Sequence, residues 1–172
     1  MTKLSGMLGG SILLIALFGC GSKIDKAALA EGEAAGKDAS VLYEMSQKEI
    51  SLANKYSWQK WVELRGAKER DAQLAVTAKQ LEAARDKFTA ASTKITESLR
   101  GQNPFTNDET KSASRMGDAY RKWSEMAEYE RKTLQESVGI NDVKVLTDKF
   151  TEAGAKQAKM NENVMAIIKS AR

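Results

Sequence analysis

The sequence predicts an all-α fold, either an antiparallel helical bundle or an elongated helical hairpin, with three to four long helices and coiled-coil-like seams. The 172 residues include a single proline, and only 6% of them are aromatic. Strands need more aromatic and β-branched residues, and more turn signals, than this chain supplies. Apolar residues also recur at heptad spacing in two parts of the chain, which is typical of packed helices.

The first predicted helical region spans residues 40–100 and contains no proline. Its second half has a regular apolar stripe, made of Leu74, Leu81, Phe88 and Ile95 with Ala78, Ala84, Ala91 and Leu99 beside them. The stripe of its first half, Leu42, Met45, Leu52 and Tyr56, is out of register with the second. The register therefore changes between Tyr56 and Leu74, with Gly66 as the best candidate for a bend or break. Either one long helix changes partner there, or two helices meet in a tight corner.

Residues 101–107 form the clearest predicted loop. Gly101 stands where a helix-ending glycine is expected, and Pro104 prevents the helix from continuing. Thr106 is followed three residues later by Glu109, which has the form of a capping box. The next helix is therefore expected to start there.

The last helix has the most regular seam in the chain. It follows Gly139, and Asn141 or Asp142 is expected to open it. Its seam positions alternate in steps of three and four, and they are Val143, Leu146, Phe150, Ala153, Gln157, Met160, Val164 and Ile167. Only Gln157 is polar among them. A single polar seam residue can fix register or partner number, so we predict a register-setting role for Gln157.

The N-terminal residues have the pattern of a secretory signal. Lys3 supplies a short positive region, residues 4–18 are apolar or small, and Gly19 precedes Cys20. The apolar stretch is short for a membrane span, which needs about 20 residues. The ending Leu17-Phe18-Gly19-Cys20 resembles the lipobox of bacterial lipoproteins, although Phe18 stands where a smaller residue is usual.

This resemblance implies signal cleavage between Gly19 and Cys20, a diacylglycerol on the Cys20 thiol and acylation of the new amine. Several acyl chains together anchor a protein stably to a membrane. The rule of that family favours the outer membrane because no Asp follows Cys20, with the folded part facing the periplasm or the outside. We expect a signal peptide over 1–19, a lipidated cysteine and flexible tether over 20–39, and a helical bundle domain over 40–172.

The tether interpretation rests on residues 21–39, which are small and polar. Gly32 and Gly36 each cost about 1 kcal/mol inside a helix. Their Gly-x-x-x-Gly spacing indicates tight helix contact in apolar membrane segments, whereas this segment is polar. A flexible tether is therefore preferred to tight packing here.

Composition argues against an enzyme. The chain has no histidine and one cysteine, which excludes Ser-His-Asp and Cys-His catalysis and zinc sites built from His and Cys. We predict no catalytic residue, no metal and no cofactor. Glu125 and Glu128 are interpreted as a solvated carboxylate pair. The net charge is +4, but the basic residues are interleaved with acidic ones, as in Lys68-Glu69-Arg70-Asp71. Because no basic cluster is formed, we predict no nucleic-acid partner.

Two groups of large side chains are candidates for binding a partner. Trp58 and Trp61 are neighbours on a helix and lie at the change of register. The second group is an aromatic and methionine face, with the candidates Tyr120, Trp123, Met126 and Tyr129. Filling of the core is the alternative for both groups, and Met126 and Tyr129, on the flank of the stripe, are expected to be more exposed.

The functional expectation is a membrane-anchored envelope lipoprotein that acts as a non-enzymatic structural or protein-interaction module. Its partner would be another envelope protein or a second copy. The chain is similar in general form to helical envelope lipoproteins such as Braun's lipoprotein, but it ends Ser170-Ala171-Arg172 rather than in the lysine that joins that protein to the cell wall. The alternative is a periplasmic ligand-binding bundle similar to four-helix sensor domains, with an apolar pocket near Trp58, Trp61 or Trp123.

Overall fold

The computed structural model describes residues 24–56, 67–104 and 106–170, which form four helices and no β-strand. These helices are α1 (Lys26–Tyr56), α2 (Ala67–Ser98), α3 (Asp108–Gln135) and α4 (Val143–Ser170). They contain 28 to 32 residues each and are therefore about 42–48 Å long. The predicted all-α bundle of long helices is confirmed.

Consecutive helices run antiparallel. Lys94, near the end of α2, lies 3.2 Å from Glu31, near the start of α1. Asp71, near the start of α2, accepts a 3.0 Å hydrogen bond from the backbone N–H of Gly139, just after α3. The turn over 136–142 then returns α4 along α3. Each helix therefore packs beside the one that precedes it.

The chain reverses direction between Tyr56 and Ala67, because α1 and α2 are separate antiparallel helices. The reversal falls within the interval where the sequence predicts a change of register. It rules out a single unbroken helix over 40–100. Gly66 lies outside the described residues, so its part in the reversal stays a prediction.

Three of the predicted helix boundaries are confirmed. Gly101 follows α2 with φ at +75°, and Gly139 follows α3 with φ at +81°, a backbone conformation that favours glycine. At the start of α4, Asp142 Oδ1 accepts hydrogen bonds from two backbone N–H groups of the first turn, at 2.8 and 3.1 Å. Asp142, rather than Asn141, is therefore the residue that opens α4.

The capping box of α3 is one residue later than predicted. Asn107 is the N-cap, and its Oδ1 accepts a 2.8 Å hydrogen bond from the backbone N–H of Thr110. Thr110 Oγ1 in turn accepts from the N–H of Asn107 at 3.3 Å. The predicted pair of Thr106 and Glu109 is wrong because the Thr106 hydroxyl donates to the carbonyl of Asn103 within the loop.

The seam of α2 forms the centre of the bundle. All of its predicted positions are buried or packed against the core, with Leu74, Ala78, Leu81, Ala84, Phe88, Ala91 and Ile95 less than 4% exposed and Leu99 partly buried. Both α1 and α3 pack along α2, so the seam of α2 lies between two other helices. The seam predicted for α4 also faces inward, and its Leu146, Phe150 and Val164 are buried.

The flexible-tether interpretation is wrong for residues 26–39, which form the first half of α1. The buried positions of α1 alternate in steps of four and three, and they are Gly32, Gly36, Ala39, Tyr43 and Ser46. The bundle therefore begins before residue 40. Residues 20–23 lie outside the described residues.

Gly32 and Gly36 allow α1 to approach its neighbours closely. A Cβ atom added to Gly32 would lie 2.7 Å from Cγ1 of Ile95 on α2, and one added to Gly36 would overlap the ring of Tyr120 on α3. The close packing of α1 against these side chains offsets the cost of glycine in a helix. The apolar stripe predicted for α1 is accordingly wrong at Met45, which is 46% exposed.

Candidate functional site

Three aromatic side chains pack around Phe88 in the middle of the bundle. The ring centroid of Phe88 lies 6.1 Å from that of Tyr43, 6.0 Å from that of Tyr120 and 5.6 Å from that of Trp123. These distances are typical of aromatic pairs that stabilise a core. Tyr120 is 3% exposed and Trp123 is partly buried against the core, so both predicted partner-binding residues contribute to the interior.

A polar cluster lies beside these rings, at the junction of α1, α3 and α4. The Tyr43 hydroxyl donates to Oε1 of Glu130 at 2.6 Å, and Nε2 of Gln157 lies 3.4 Å from the same hydroxyl. Glu130 is only 6% exposed. Burial, followed by the negative charge of Glu130, raises the pKa of Tyr43 well above its ordinary value of 10. Tyr43 therefore stays protonated and acts as a hydrogen-bond donor.

Of the residues in the polar cluster, the sequence pattern points only to Gln157. Tyr43 does not belong to the stripe that the larger apolar residues of α1 define. No sequence pattern distinguishes Glu130, whose carboxylate is buried, from the many acidic residues that are solvated. The spacing of Gly36, Tyr43 and Ser46 in the α1 seam is the signal that places Tyr43 inside.

The two residues expected to be more exposed behave differently. Met126 is 2% exposed, so its interpretation as an exposed partner contact is wrong, because it lies in the core cluster. Tyr129 is half-buried, and Nζ of Lys156 lies 4.1 Å from the centre of its ring. This cation–π contact joins α3 to α4 and covers one face of Tyr129.

Glu128 lies at the centre of a surface charge network between α2 and α3. Its two carboxylate oxygens accept hydrogen bonds from Nε and Nη2 of Arg131, both at 2.7 Å, and from Nη1 of Arg85 at 2.9 Å. Hydrogen bonding to Arg131 is the main reason that the pKa of Glu128 falls to about 2. Its neighbour Glu125 pairs with Arg121 and Lys122. A carboxylate held ionised in this way is unsuited to proton transfer near neutral pH.

The remaining predicted site residues lie outside the described residues. They are Gly19, Cys20, Trp58 and Trp61. Within residues 24–56, 67–104 and 106–170, no group of acidic residues is arranged to hold a metal ion. In the same part of the chain, none of the helices has the length and apolar character needed to cross a bilayer.

Comparisons of this chain with protein-family models, with curated proteins and with solved structures give no match.

Proposed function

We propose that this chain is a membrane-anchored bacterial envelope lipoprotein whose helical bundle acts as a non-enzymatic structural or protein-interaction module. The observation that carries the proposal is the position of Cys20, which follows a signal-like apolar stretch and ends the lipobox-like Leu17-Phe18-Gly19-Cys20. Lipid on Cys20 would hold the protein in the cell envelope, with the outer membrane favoured. Its partner would be another envelope protein or a second copy.

The packing of the bundle supports a role carried by its outer surface. Phe88 stacks on Tyr120 and on Trp123, so the protein's own side chains occupy this part of the interior. The outer faces carry ion pairs, of which Lys122 with Glu125 is an example. Regular helices with filled seams and charged faces suit a rod or a docking module better than an enzyme.

Lipid anchoring is tested by the Cys20→Ala variant expressed in a Gram-negative host. We expect the unsubstituted protein in the membrane fraction and the variant in the soluble fraction, because the variant has no thiol to acylate. Ser22→Ala is the matched control, since it changes a neighbouring small residue and keeps the thiol. Unchanged membrane partition of Cys20→Ala would contradict the anchor.

The interaction role is tested by lysine-reactive crosslinking in intact cells, followed by purification and mass spectrometry. One dominant envelope protein crosslinked to the bundle would establish the interaction module, and crosslinks between copies would establish a self-associating spacer. Cys20→Ala serves as the control, because release from the membrane should reduce crosslinking to a membrane-bound partner. Absence of any crosslinked product in intact cells would count against the proposal.

One observation favours the alternative of a ligand-binding bundle. Oε1 of Gln80 is buried and has no hydrogen-bond partner within the described part of the chain, which leaves an acceptor for a ligand or a water molecule. The alternative expects tryptophan fluorescence to shift with a small molecule from a broad panel. Gln80→Met, which keeps the size of the side chain and removes the acceptor, should abolish that shift, whereas Gln73→Met should keep it. An unchanged spectrum across the panel would count against a ligand.

A further inference from the structure

The chain is fixed to one end of the bundle from Ile24 onward. The Ile24 side chain is 6% exposed and belongs to the core cluster. The backbone N–H of Asp25 donates to the carbonyl of Ser98, the last residue of α2, at 3.1 Å. Oδ1 of Asp25 accepts hydrogen bonds from Ala27 and Ala28 at 3.0 and 3.1 Å and so caps α1. The path of the chain into α1 is therefore set by packing and by hydrogen bonds at the end of α2.

Very little sequence separates this fixed point from the proposed lipid site. Only Gly21, Ser22 and Lys23 lie between Cys20 and Ile24. Each residue spans at most about 3.6 Å, so the Cα atoms of Cys20 and Ile24 are at most roughly 14 Å apart. A flexible tether over the whole of residues 20–39 would allow several times that distance.

We infer that one end of the bundle, which we call the anchor end, rests against the headgroups of the lipid bilayer. The anchor end comprises Ile24, Ser98 and the loop residues 99–104 that join α2 towards α3. The far end is the turn over 136–142, at the other end of α3. The inference rests on the proposed function, because it requires lipid on Cys20. It places the far end farther from the membrane by nearly the length of a helix, about 40 Å.

Lys94 and Lys111 near the anchor end are paired with acidic side chains, whereas Lys26 and Arg100 have no ion pair among the described residues. Nζ of Lys94 lies 3.2 Å from Glu31 and 3.6 Å from Glu97, and Nζ of Lys111 lies 3.5 Å from Asp108. Paired lysines attract anionic lipids weakly, since attraction depends on unneutralised positive charge. On neutral lipid, the short segment between Cys20 and Ile24, rather than charge, would hold this end at the bilayer. Neutral vesicles therefore test the short segment by itself, because the unpaired charges of Lys26 and Arg100 would add attraction to anionic lipids.

The sides of the bundle favour an upright orientation over one lying flat. On α3, Arg121 pairs with both Asp118 and Glu125 on the exposed surface. Laying such a face on the membrane would remove water from charged groups that are hydrated in the free protein. An upright bundle keeps these groups in water and brings only its narrow end to the headgroups.

The test measures energy transfer from two positions on the lipidated full-length protein to a headgroup-labelled lipid. The protein is reconstituted into phosphatidylcholine vesicles and labelled at a new cysteine, either Gln102→Cys at the anchor end or Val138→Cys at the far end. Cys20 does not compete for the label when it carries lipid. We expect transfer from position 102 to be several times more efficient than transfer from position 138. Equal transfer, or stronger transfer from position 138, would overturn the inference.

Mass spectrometry of the N-terminal peptide separates this inference from the proposed function. Lipid on Cys20 with equal transfer from both positions overturns the placement of the anchor end and leaves the anchor intact. No lipid on Cys20 and no co-flotation with vesicles overturns both.

Lengthening the segment between Cys20 and Ile24 supplies a second, independent readout. Fifteen Gly/Ser residues inserted before Ile24 would add a mean reach of roughly 20 Å. They should lower the transfer from position 102, whereas the same insertion after the exposed Gly139 should leave it unchanged. Unchanged energy transfer from position 102 with the longer segment would mean that another surface holds the bundle at the bilayer. This result would overturn the inference.

Discussion

The hydroxyl of Tyr43 lies 2.6 Å from Oε1 of Glu130, although 87 positions separate the two residues in the chain. This hydrogen bond joins the first helix to the third inside the bundle. Gln157 on the fourth helix reaches the same hydroxyl at 3.4 Å. One phenol group therefore links three helices, and it does so at a buried carboxylate, where loss of a partner is costly.

Tyr43→Phe should destabilise the protein by about 1–3 kcal/mol at neutral pH. The variant keeps the ring that packs against Phe88 and removes only the donor to Glu130. Urea unfolding followed by circular dichroism would measure the change in the free energy of unfolding. A change of less than about 0.5 kcal/mol would mean that this hydrogen bond contributes little.

Tyr120→Phe is the matched control for this measurement. Tyr120 is as deeply buried as Tyr43 and stacks on the same Phe88, but no hydrogen bond to its hydroxyl is present among the described residues. We expect it to cost less than about 1 kcal/mol. Equal losses for the two variants would show that the effect comes from the hydroxyl's packing rather than from its bond to Glu130.

Gln157→Leu distinguishes a register-setting role from a hydrogen-bonding role. If Gln157 only sets register, an apolar residue in the seam should raise thermal stability and change the oligomeric state. Since Gln157 contacts the Tyr43 hydroxyl, we expect a loss of up to about 1 kcal/mol instead. In a double-mutant cycle the substitution should cost less when Tyr43 is already Phe. Additive losses would show that the two side chains act independently.

Gly36→Ala should destabilise the bundle by about 1–3 kcal/mol, as expected for overpacking of a core. The added methyl group would overlap the Tyr120 ring, so α1 and α3 would have to separate. Thermal unfolding measures the effect directly. Wild-type stability in this variant would mean that α1 leaves room for a methyl group between Gly36 and the Tyr120 ring.

Gly154→Ala gives the opposite expectation in the same experiment. Gly154 lies inside α4, and a Cβ atom there would have no heavy atom of the described residues within 4 Å. Alanine should therefore stabilise α4 by up to about 1 kcal/mol through its better helix propensity. The two glycine substitutions share their chemistry, so opposite signs would isolate the contribution of close helix packing.

The parts of the fold that could be predicted are those marked by large apolar side chains or by glycine at helix ends. Leu81, Phe88 and Ile95 recur every seven residues and each is at most 1% exposed in α2. Gly101 and Gly139 have the positive φ angles that end a helix. These signals are local, because one helix can be read without knowledge of its neighbours.

The seam of α1 cannot be read in that way. It is built from small residues such as Gly32 and Gly36, whose burial depends on a neighbouring side chain that fills the space above them. A hydrophobic pattern does not register glycine as a core residue, so the same segment has the sequence pattern of a tether. The contact of Tyr43 with Glu130 likewise depends on the relative placement of α1 and α3. A local sequence pattern does not predict that placement.

Acid should weaken the link between α2 and α3, because Glu128 has a pKa of about 2 in the folded protein against an ordinary value of 4.5. Hydrogen bonds from Arg131 and then Arg85 are the stabilising causes of this shift. A lowered folded pKa means that the stabilisation is present above about pH 4.5, and that it is lost as the pH falls towards 2. Since the Glu128 side chain is 27% exposed, solvent screens the network and limits its contribution to about 1 kcal/mol.

Glu128→Gln should therefore be less stable than the wild type by about 1 kcal/mol at pH 7, and the difference should shrink between about pH 5 and pH 2. Urea unfolding at several pH values measures both quantities. Glu125→Gln is the control, because the ion pairs of Glu125 lie within α3 on a more exposed face and do not reach α2. A difference between wild type and Glu128→Gln that stayed constant down to pH 2 would mean that Glu128 stabilises the bundle through its shape rather than its charge.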